Sequence, residues 1–507
     1  MNYLIGIDVG TSATKTVLFD ENGQIKGSVS CEYPLYQPEN GWAEQKAEDW
    51  RDAVLKTLKE VMELSGVPAE EVKGIGISGQ MHGLVMLDEQ GEVLRPSIIW
   101  CDQRTGEEVE DMLRIMPKER WIQITANPPL TGWTAAKILW VRKHEPEIYA
   151  RCHHILLPKD YIRYILTGVF ATEVSDASGM QLLDVPGRCW SDEVLEKLEI
   201  PKEWLGTVYE SCQVTGTLLP EIAEQTGLTT EVKVVGGAGD NAAAAVGTGV
   251  VRDGSAFTTI GTSGVVFAHS SKVTIDPKGR VHTCCCAVPG AWHVMGVTQG
   301  AGLSLKWFKD QFCQDYVAEA KEQGVDVYDL INRDIEKIPV GSDRLLYLPY
   351  LMGERTPHLD PDCRGVFFGL SAIHTKAHLL RAVMEGVSYS LADCNEILKE
   401  MGVDVDQMMA CGGGGKSPIW RQMLSDLYQC QVKTVYQSEG PALGVAILAG
   451  VGCGIYESVE SACDRLISED RVSQPSAEAG AVYEKYHKLY QKLYIDLKDS
   501  YKLLAQL

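Results

Sequence analysis

Short apolar runs broken by glycine turns dominate this chain. Leu4-Ile5-Gly6-Ile7-Asp8-Val9 reads as a strand entering the turn Gly10-Thr11-Ser12. A second strand over 16–19, a turn at Asp20-Glu21-Asn22-Gly23 and a polar strand from Gln24 complete a β-hairpin pattern. Phe257-Thr258-Thr259-Ile260 runs into a similar turn, Gly261-Thr262-Ser263-Gly264, and Val265-Val266-Phe267-Ala268 returns from it. The recurrence predicts two duplicated domains, residues 1–250 and 251–507, with a boundary at 250–254. Helical stretches over 47–62, 417–428 and 481–504, with strands over 74–78, 232–235 and 408–411, predict an α/β fold of mixed sheets flanked by helices. In the last helix Val482, Tyr486, Leu489, Leu493 and Leu497 fall at helical spacing. That stripe predicts packing on its own domain and leaves a homodimer surface open.

At 507 residues the chain is too long for one compact core. Its 45% hydrophobic and 23% charged residues are ordinary for a soluble globular protein. The net charge of −22 repels nucleic acid and anionic membranes, so neither is an expected partner. An anionic substrate such as a nucleotide then needs local donors and a metal ion. A basic leader does not precede the first strand and no apolar run reaches membrane-spanning length, which predicts a cytoplasmic protein. The 15 cysteines contain no Cys-x-x-Cys pair and read as reduced core thiols. Cys284-Cys285-Cys286, with His282 nearby, reads as a buried strand, because adjacent strand residues alternate faces and cannot share one metal.

The chemistry concentrates at strand ends. Asp240 leaves the glycine-rich turn Gly236-Gly237-Ala238-Gly239 into a run of small residues, where a general base belongs; the competing reading is an N-cap for a helix starting near Ala242. The two Gly-Thr-Ser turns offer backbone N–H groups and the hydroxyls of Thr11, Ser12, Thr262 and Ser263 to phosphate oxygens. Lys15 can add positive charge, and Asp8 can hold Mg²⁺ through water; the alternatives are a solvated lysine and an Asp closing a hairpin. Gly412-Gly413-Gly414-Gly415-Lys416-Ser417 lacks Walker spacing and reads as a glycine turn forming a flat platform for a base and ribose, or as a purely structural turn. Ser417 and Pro418 start the helix beyond it.

These features, together with the segments Gly132-Trp133-Thr134-Ala135-Ala136-Lys137-Ile138-Leu139-Trp140 and Gly365-Val366-Phe367-Phe368-Gly369-Leu370 continuing to Glu385, resemble the FGGY carbohydrate kinases of the actin-like ATPase superfamily. The resemblance implies two actin-like, ribonuclease H-like domains that close over the substrates in the cleft between them, sugar in the N-terminal half and nucleotide in the C-terminal half. Gly79-Gln80-Met81-His82-Gly83, Leu156-Leu157-Pro158-Lys159-Asp160-Tyr161 and Gly353-Glu354-Arg355-Thr356-Pro357 resemble the members that act on a ketopentose. The implied reaction is phosphoryl transfer from MgATP to D-xylulose, with Asp240 as general base and Asp8 as second catalytic acid and Mg²⁺ ligand. Implied sugar contacts are Met81, His82, Asp102, Asp240 and Asn241. Implied nucleotide contacts are Thr11, Ser12, Lys15, Gly261, Thr262, Gly302, Gly412, Gly413 and Lys416. Cys101 stands where the pattern has Asn, and Lys416 where an Ala-Arg-like pair is common. A kinase for ribulose, L-xylulose or a polyol is the alternative, and an actin-like ATPase or a catalytically dead sugar-binding regulator lies further off.

Overall fold

The computed structural model describes residues 1–436 and 439–507. Two seven-stranded sheets repeat one plan. The first is built from β1 (Tyr3–Val9), β2 (Ala13–Asp20), β3 (Ile25–Glu32), β4 (Val72–Gly79), β5 (Val214–Thr217) and β6 (Lys233–Val235), in the order β5-β6-β4-β1-β2-β3. The two-residue strand Ala238–Gly239 adds to β4. The second uses β7 (Gly254–Ile260), β8 (Gly264–Ser270), β9 (His282–Cys285), β10 (Trp292–Thr298), β11 (Val405–Cys411), β12 (Gln431–Val435) and β13 (Glu469–Ser473), in the order β9-β10-β8-β7-β11-β12-β13. In each, the opening hairpin is antiparallel and its first strand pairs in parallel with a strand much later in sequence. β1 and β7 even share one pattern of burial along their length. The duplication read from two short turns extends to whole sheets.

Helices cover the faces, among them α2 (Pro158–Thr167) in the first half and α6 (Pro418–Tyr428) in the second. α1 (Ala47–Ser65) buries Trp50, Val54, Leu58 and Val61 against Ile5, Ile7 and Val9 of β1, and ends at Gly66 in the left-handed conformation with its N–H on the Met62 carbonyl. Successive strand residues point to opposite faces, so Leu4, Gly6 and Asp8 look the other way, toward α7 (Gly440–Gly452). α7 comes from the second half of the chain but lies on the first sheet and against α3 (Asp240–Gly247). A Cβ on Gly6 would fall 1.9 Å from the Ala442 carbonyl oxygen, and one on Gly76 of β4 would fall 2.0 Å from that of Val445. Glycine is therefore required at both positions, and the close seat aligns Asp8 with the N-terminus of α7.

In the second half the core surrounds α5 (Lys376–Glu400), buried along most of its length, and α8 (Ala477–Leu504) packs beside it. The α8 seam is set by Tyr483, His487, Tyr490, Leu493, Tyr494 and Tyr501; Leu489, expected on the packing stripe, is exposed. Leu493 is buried and Tyr486 and Leu497 pack partly buried on the same core, so the expected stripe holds at those positions and amphipathic tyrosines complete the seam. Cys284, Cys285 and Cys286 are buried as expected, and β9 docks on the first half, where Ser178 Oγ–H donates to nothing but the Val174 carbonyl and accepts the Cys285 N–H at 3.0 Å. All fifteen cysteines are unpaired thiols.

Candidate active site

The Gly10–Ala13 turn is braced from three sides. Tyr33 Oη donates to the Gly10 carbonyl at 2.5 Å, Trp100 Nε1 to Thr11 Oγ1 at 2.9 Å, and Gln45 Nε2 to the Thr11 carbonyl at 2.7 Å. Ser12 stays exposed. Asp8 sits one residue before the end of β1, beside Lys15 on β2 and Ser78 on β4. Burial raises the Asp8 pKa; Ser78 and Lys15 oppose the rise, and Glu439 adds to it. Lys15, expected at the phosphates, is held by Glu439 at 2.5 Å.

Asp240 is the first residue of α3, and Gly239 rather than Asp240 occupies the N-cap. The acid is therefore not spent as a cap. Its Oδ1 accepts the backbone N–H of Asn241 at 2.7 Å and the Asn241 amide at 2.9 Å, while Oδ2 has no hydrogen-bond partner among the described residues. Burial, then the nearby charge of Asp8, pushes its pKa up to about 6. Asn241, expected on the sugar, thus also orients the acid.

A buried ionic cluster holds this loop. The Gly239 N–H donates to Ser175 Oγ at 3.1 Å, and Ser175 Oγ donates to Glu173 at 2.8 Å. Lys159 lies 2.7 Å from Asp160, 3.3 Å from Glu173 and 3.5 Å from Asp176, and Arg163 lies 3.1 Å from Asp160. Burial pushes the Asp176 pKa well up, and neither of its oxygens accepts a hydrogen bond. Breaking such a set by removing one partner costs about 3–5 kcal/mol, because a charge is left unpaired. Lys159 and Asp160, singled out only as part of a sugar-kinase segment, are structural supports of Asp240.

Next to this loop, across Met81 and Gly239, lies a group of side chains gathered around His82. Its φ of 68° is left-handed, a strained conformation for a non-glycine residue. The strain is held in place by three contacts of the same residue. Nδ1–H donates to the Gly179 carbonyl at 2.8 Å, and the His82 carbonyl accepts from Lys137 Nζ at 2.7 Å and Thr134 Oγ1 at 3.2 Å. The ring stacks on Trp133 at 4.6 Å. Burial drops the His82 pKa to about 3, so the imidazole is neutral and its Nε2 is an acceptor. His282 also approaches Trp133, at 5.5 Å with its ring tilted by 45°. Asn127 Nδ2 donates to the Thr125 and Thr283 carbonyls, so its Oδ1 accepts from His282 Nδ1 at 3.1 Å, leaving His282 Nε2 also an acceptor. Burial holds His282 near 4. Met81 is buried against Gly239 and Gly179, where a Cβ would collide with it or with His82.

Asp102 departs from the expectation of a sugar ligand. It is fully buried, with Oδ2 accepting the Ala43 N–H at 2.6 Å and both oxygens taking the Arg104 guanidinium. Arg104 in turn stacks on Trp42 at 3.7 Å and reaches Glu44 at 2.8 Å. Asp102 is a support for the group around His82. Trp133, Lys137 and His282 were not expected there; Trp133 and Lys137 lie within a quoted family segment, but only the fold brings them to His82.

On the second sheet, the Gly302 N–H donates to the Gly261 carbonyl at 2.8 Å and the Leu303 N–H to the Thr262 carbonyl at 3.1 Å, fastening the helix α4 (Gly302–Phe312) to the turn. A Cβ on Gly302 would stand 2.4 Å from the Gly261 oxygen, so glycine there serves close packing. Thr262 is exposed. The expected turn at Gly412–Gly415 is a single helical one; Gly412 takes φ 75°, Gly414 packs on Ile260, and Gly412 and Gly413 are exposed, with open space around Gly413. Lys416 is exposed beside them.

The chain matches the N-terminal domain of the FGGY family of carbohydrate kinases over residues 3–247 and the C-terminal domain of that family over 256–453. It is 40% identical to the xylulose kinase of Bacillus subtilis (strain 168), covering 98% of each chain. To the xylulose kinase of Escherichia coli (strain K12) it is 38% identical, over 97% of this chain and 99% of that one. The ligand-bound xylulose kinase from Lactobacillus acidophilus superposes with a TM-score of 0.92 at 28% identity, over 99% of this chain and all of that one.

Proposed function

This chain belongs to the FGGY family of carbohydrate kinases, and on that footing we propose that it phosphorylates D-xylulose at its terminal hydroxyl, giving D-xylulose 5-phosphate and ADP. One observation carries the mechanism: Asp240, whose Oδ2 has no partner among the described residues and whose pKa is raised to about 6, stands at a strand end close enough to feel the charge of Asp8. The proton leaves the acceptor hydroxyl late in a loose transition state, so a positioned carboxylate suffices as the base. Asn241 fixes the carboxylate, and His82 and Met81 hold the sugar so that the hydroxyl lies in line. Thr11 and Ser12 from one turn, Lys15 from the strand β2 that follows it, and Thr262 from the other turn face the phosphate chain. Gly412, Gly413 and Lys416 take the base and ribose.

MgATP enters as the co-substrate. Asp8 suits Mg²⁺, because its half-buried carboxylate is an oxygen donor whose mutual repulsion with Asp240 a divalent cation would relieve. When bound, the ion neutralises charge on the β- and γ-phosphate oxygens. The fifteen free thiols fit a reducing compartment such as the cytoplasm.

The test is ADP release with MgATP and D-xylulose, L-xylulose, D-ribulose, L-ribulose, glycerol or no sugar. Stimulation by D-xylulose well above the rest is expected. Preference for another acceptor would overturn the substrate, and sugar-independent turnover would overturn the kinase reading.

A further inference from the structure

Arg355 has no role in the account so far. It lies in a loop clamped to the C-terminal end of β10: the Thr356 N–H donates to the Val297 carbonyl at 2.9 Å, and the Val297 N–H donates back to Thr356 Oγ1 at 3.1 Å. Glu354, the natural counter-ion, is already engaged. Its carboxylate accepts from Thr298 Oγ1 at 2.6 Å, from the Gln299 N–H at 2.7 Å and from the backbone N–H of Arg355 at 2.7 Å. Among the described residues the Arg355 guanidinium makes no hydrogen bond or salt bridge, although the residue is half-buried. The guanidinium nitrogens keep access to solvent and their donors are unspent, so the side chain is free to donate to a ligand.

The fold says which end of the cleft it serves. β9 and β10 pair His282 with Met295, two residues before Val297 on the same face of β10, so the Arg355 loop and His282 are neighbours. The Arg355 charge depresses the pKa of His282 and of His82, and it is absent from the influences on Asp240 and Asp8. Arg355 therefore stands at the His82 end of the site, away from the reacting hydroxyl.

Chemistry then names the group. A 2-ketopentose closes its ring by adding O5 to C2, so a molecule presenting a free O5 for phosphorylation is open-chain and carries a free C2 carbonyl. A carbonyl only accepts hydrogen bonds. His82 and His282 offer acceptors, which suit hydroxyls, and Lys137 Nζ is committed to the His82 backbone. We propose that Arg355 is a specificity-determining residue that donates to the C2 carbonyl of the open-chain ketose. This rests on the D-xylulose reading above.

The experiment compares wild type, Arg355→Met and Arg355→Lys in kcat/KM for D-xylulose and for the two pentitols formed by reducing its C2. Sugar binding is followed in parallel by quenching of tryptophan fluorescence. Loss of a charged hydrogen bond predicts that Arg355→Met loses roughly 10- to 100-fold for the ketose, through KM and Kd for the sugar. Pentitol turnover and KM for MgATP stay close to wild type, so the ketose preference collapses, and Arg355→Lys restores part of it. An active wild type whose Met variant keeps its ketose preference, or loses MgATP affinity instead, overturns this inference alone. A wild type inert toward D-xylulose overturns the acceptor reading and this inference with it.

Discussion

The Lys15 ammonium lies 2.5 Å from a carboxylate oxygen of Glu439, so a residue of the first hairpin is tied to the residue that precedes α7 in the other half of the chain. Glu439 also raises the pKa of Asp8, which places three charged groups together at the end of β1. If Lys15 serves the phosphates, the two partners have opposite effects. Lys15→Met should raise KM for MgATP by about tenfold, the worth of one charge-assisted hydrogen bond, and Glu439→Gln should lower it by freeing the ammonium. A lysine that serves only the bridge would shift both variants in the same direction. Steady-state kinetics at fixed sugar distinguishes the cases.

Asp240 works as a base only when ionised, and its pKa is raised to about 6. Activity should therefore fall as pH drops through about 6, well above the range of an ordinary aspartate. Asp8→Asn removes the second cause of the shift after burial. It should move the acid limb to lower pH even as it lowers the rate. Asp240→Asn should cost roughly 10²- to 10⁴-fold in kcat with sugar binding kept. An acid limb that stays in place in the Asp8 variant would separate the two carboxylates.

His487 on α8 lies 2.8 Å from Asp393 and 3.3 Å from Glu396 of α5, with Gln491 donating to both acids. The three ligand-type groups are compact enough to hold a metal ion, but the carboxylates raise the imidazole pKa to about 9 against the pull of burial, so at neutral pH the site is filled by the imidazolium proton itself. A raised folded-state pKa gives stability that is complete below about 6.5 and is lost as pH climbs through about 9. His487→Gln should thus unfold more easily than wild type at pH 7, by about 1–3 kcal/mol after allowing for the half-exposed Glu396, and the gap should close above pH 9. Denaturant melts of both proteins at pH 7 and 9.5 measure it.

What could be read in the sequence was local. The turns at Gly10 and Gly261, the Asp240 loop and the helix capped by Ser417 depend on neighbouring residues, and each lies where expected. What could not be read depends on long-range packing. Asp102 looked like a ligand until Ala43 and Arg104 took its oxygens, and Arg355 sat in a recognised segment without a role until β10 carried it to His282. On α8, Leu493, Tyr486 and Leu497 of the expected stripe pack on the core and Leu489 does not, because tyrosine can lie on either side of a boundary between core and water and the packed neighbours decide which ones turn inward.

Close contact between α3 and α7 gives a final prediction. A Cβ on Gly444 would stand 1.9 Å from the Ala243 carbonyl oxygen, and one on Gly247 would stand 1.8 Å from that of Gly440. Neither neighbour is a flexible side chain, so the helices themselves must separate. Because Asp240 is the first residue of α3, that separation displaces the base from the phosphates. Gly444→Ala should cost about 1–3 kcal/mol of stability through overpacking and lower kcat more than it raises KM. Gly440→Ala is the control on the same helix: among the described residues its Cβ would meet only the Ala244 Cα at 4.0 Å, an ordinary contact. Should Gly444→Ala match Gly440→Ala in both denaturant midpoint and kcat, the glycine seat would have no part in holding Asp240.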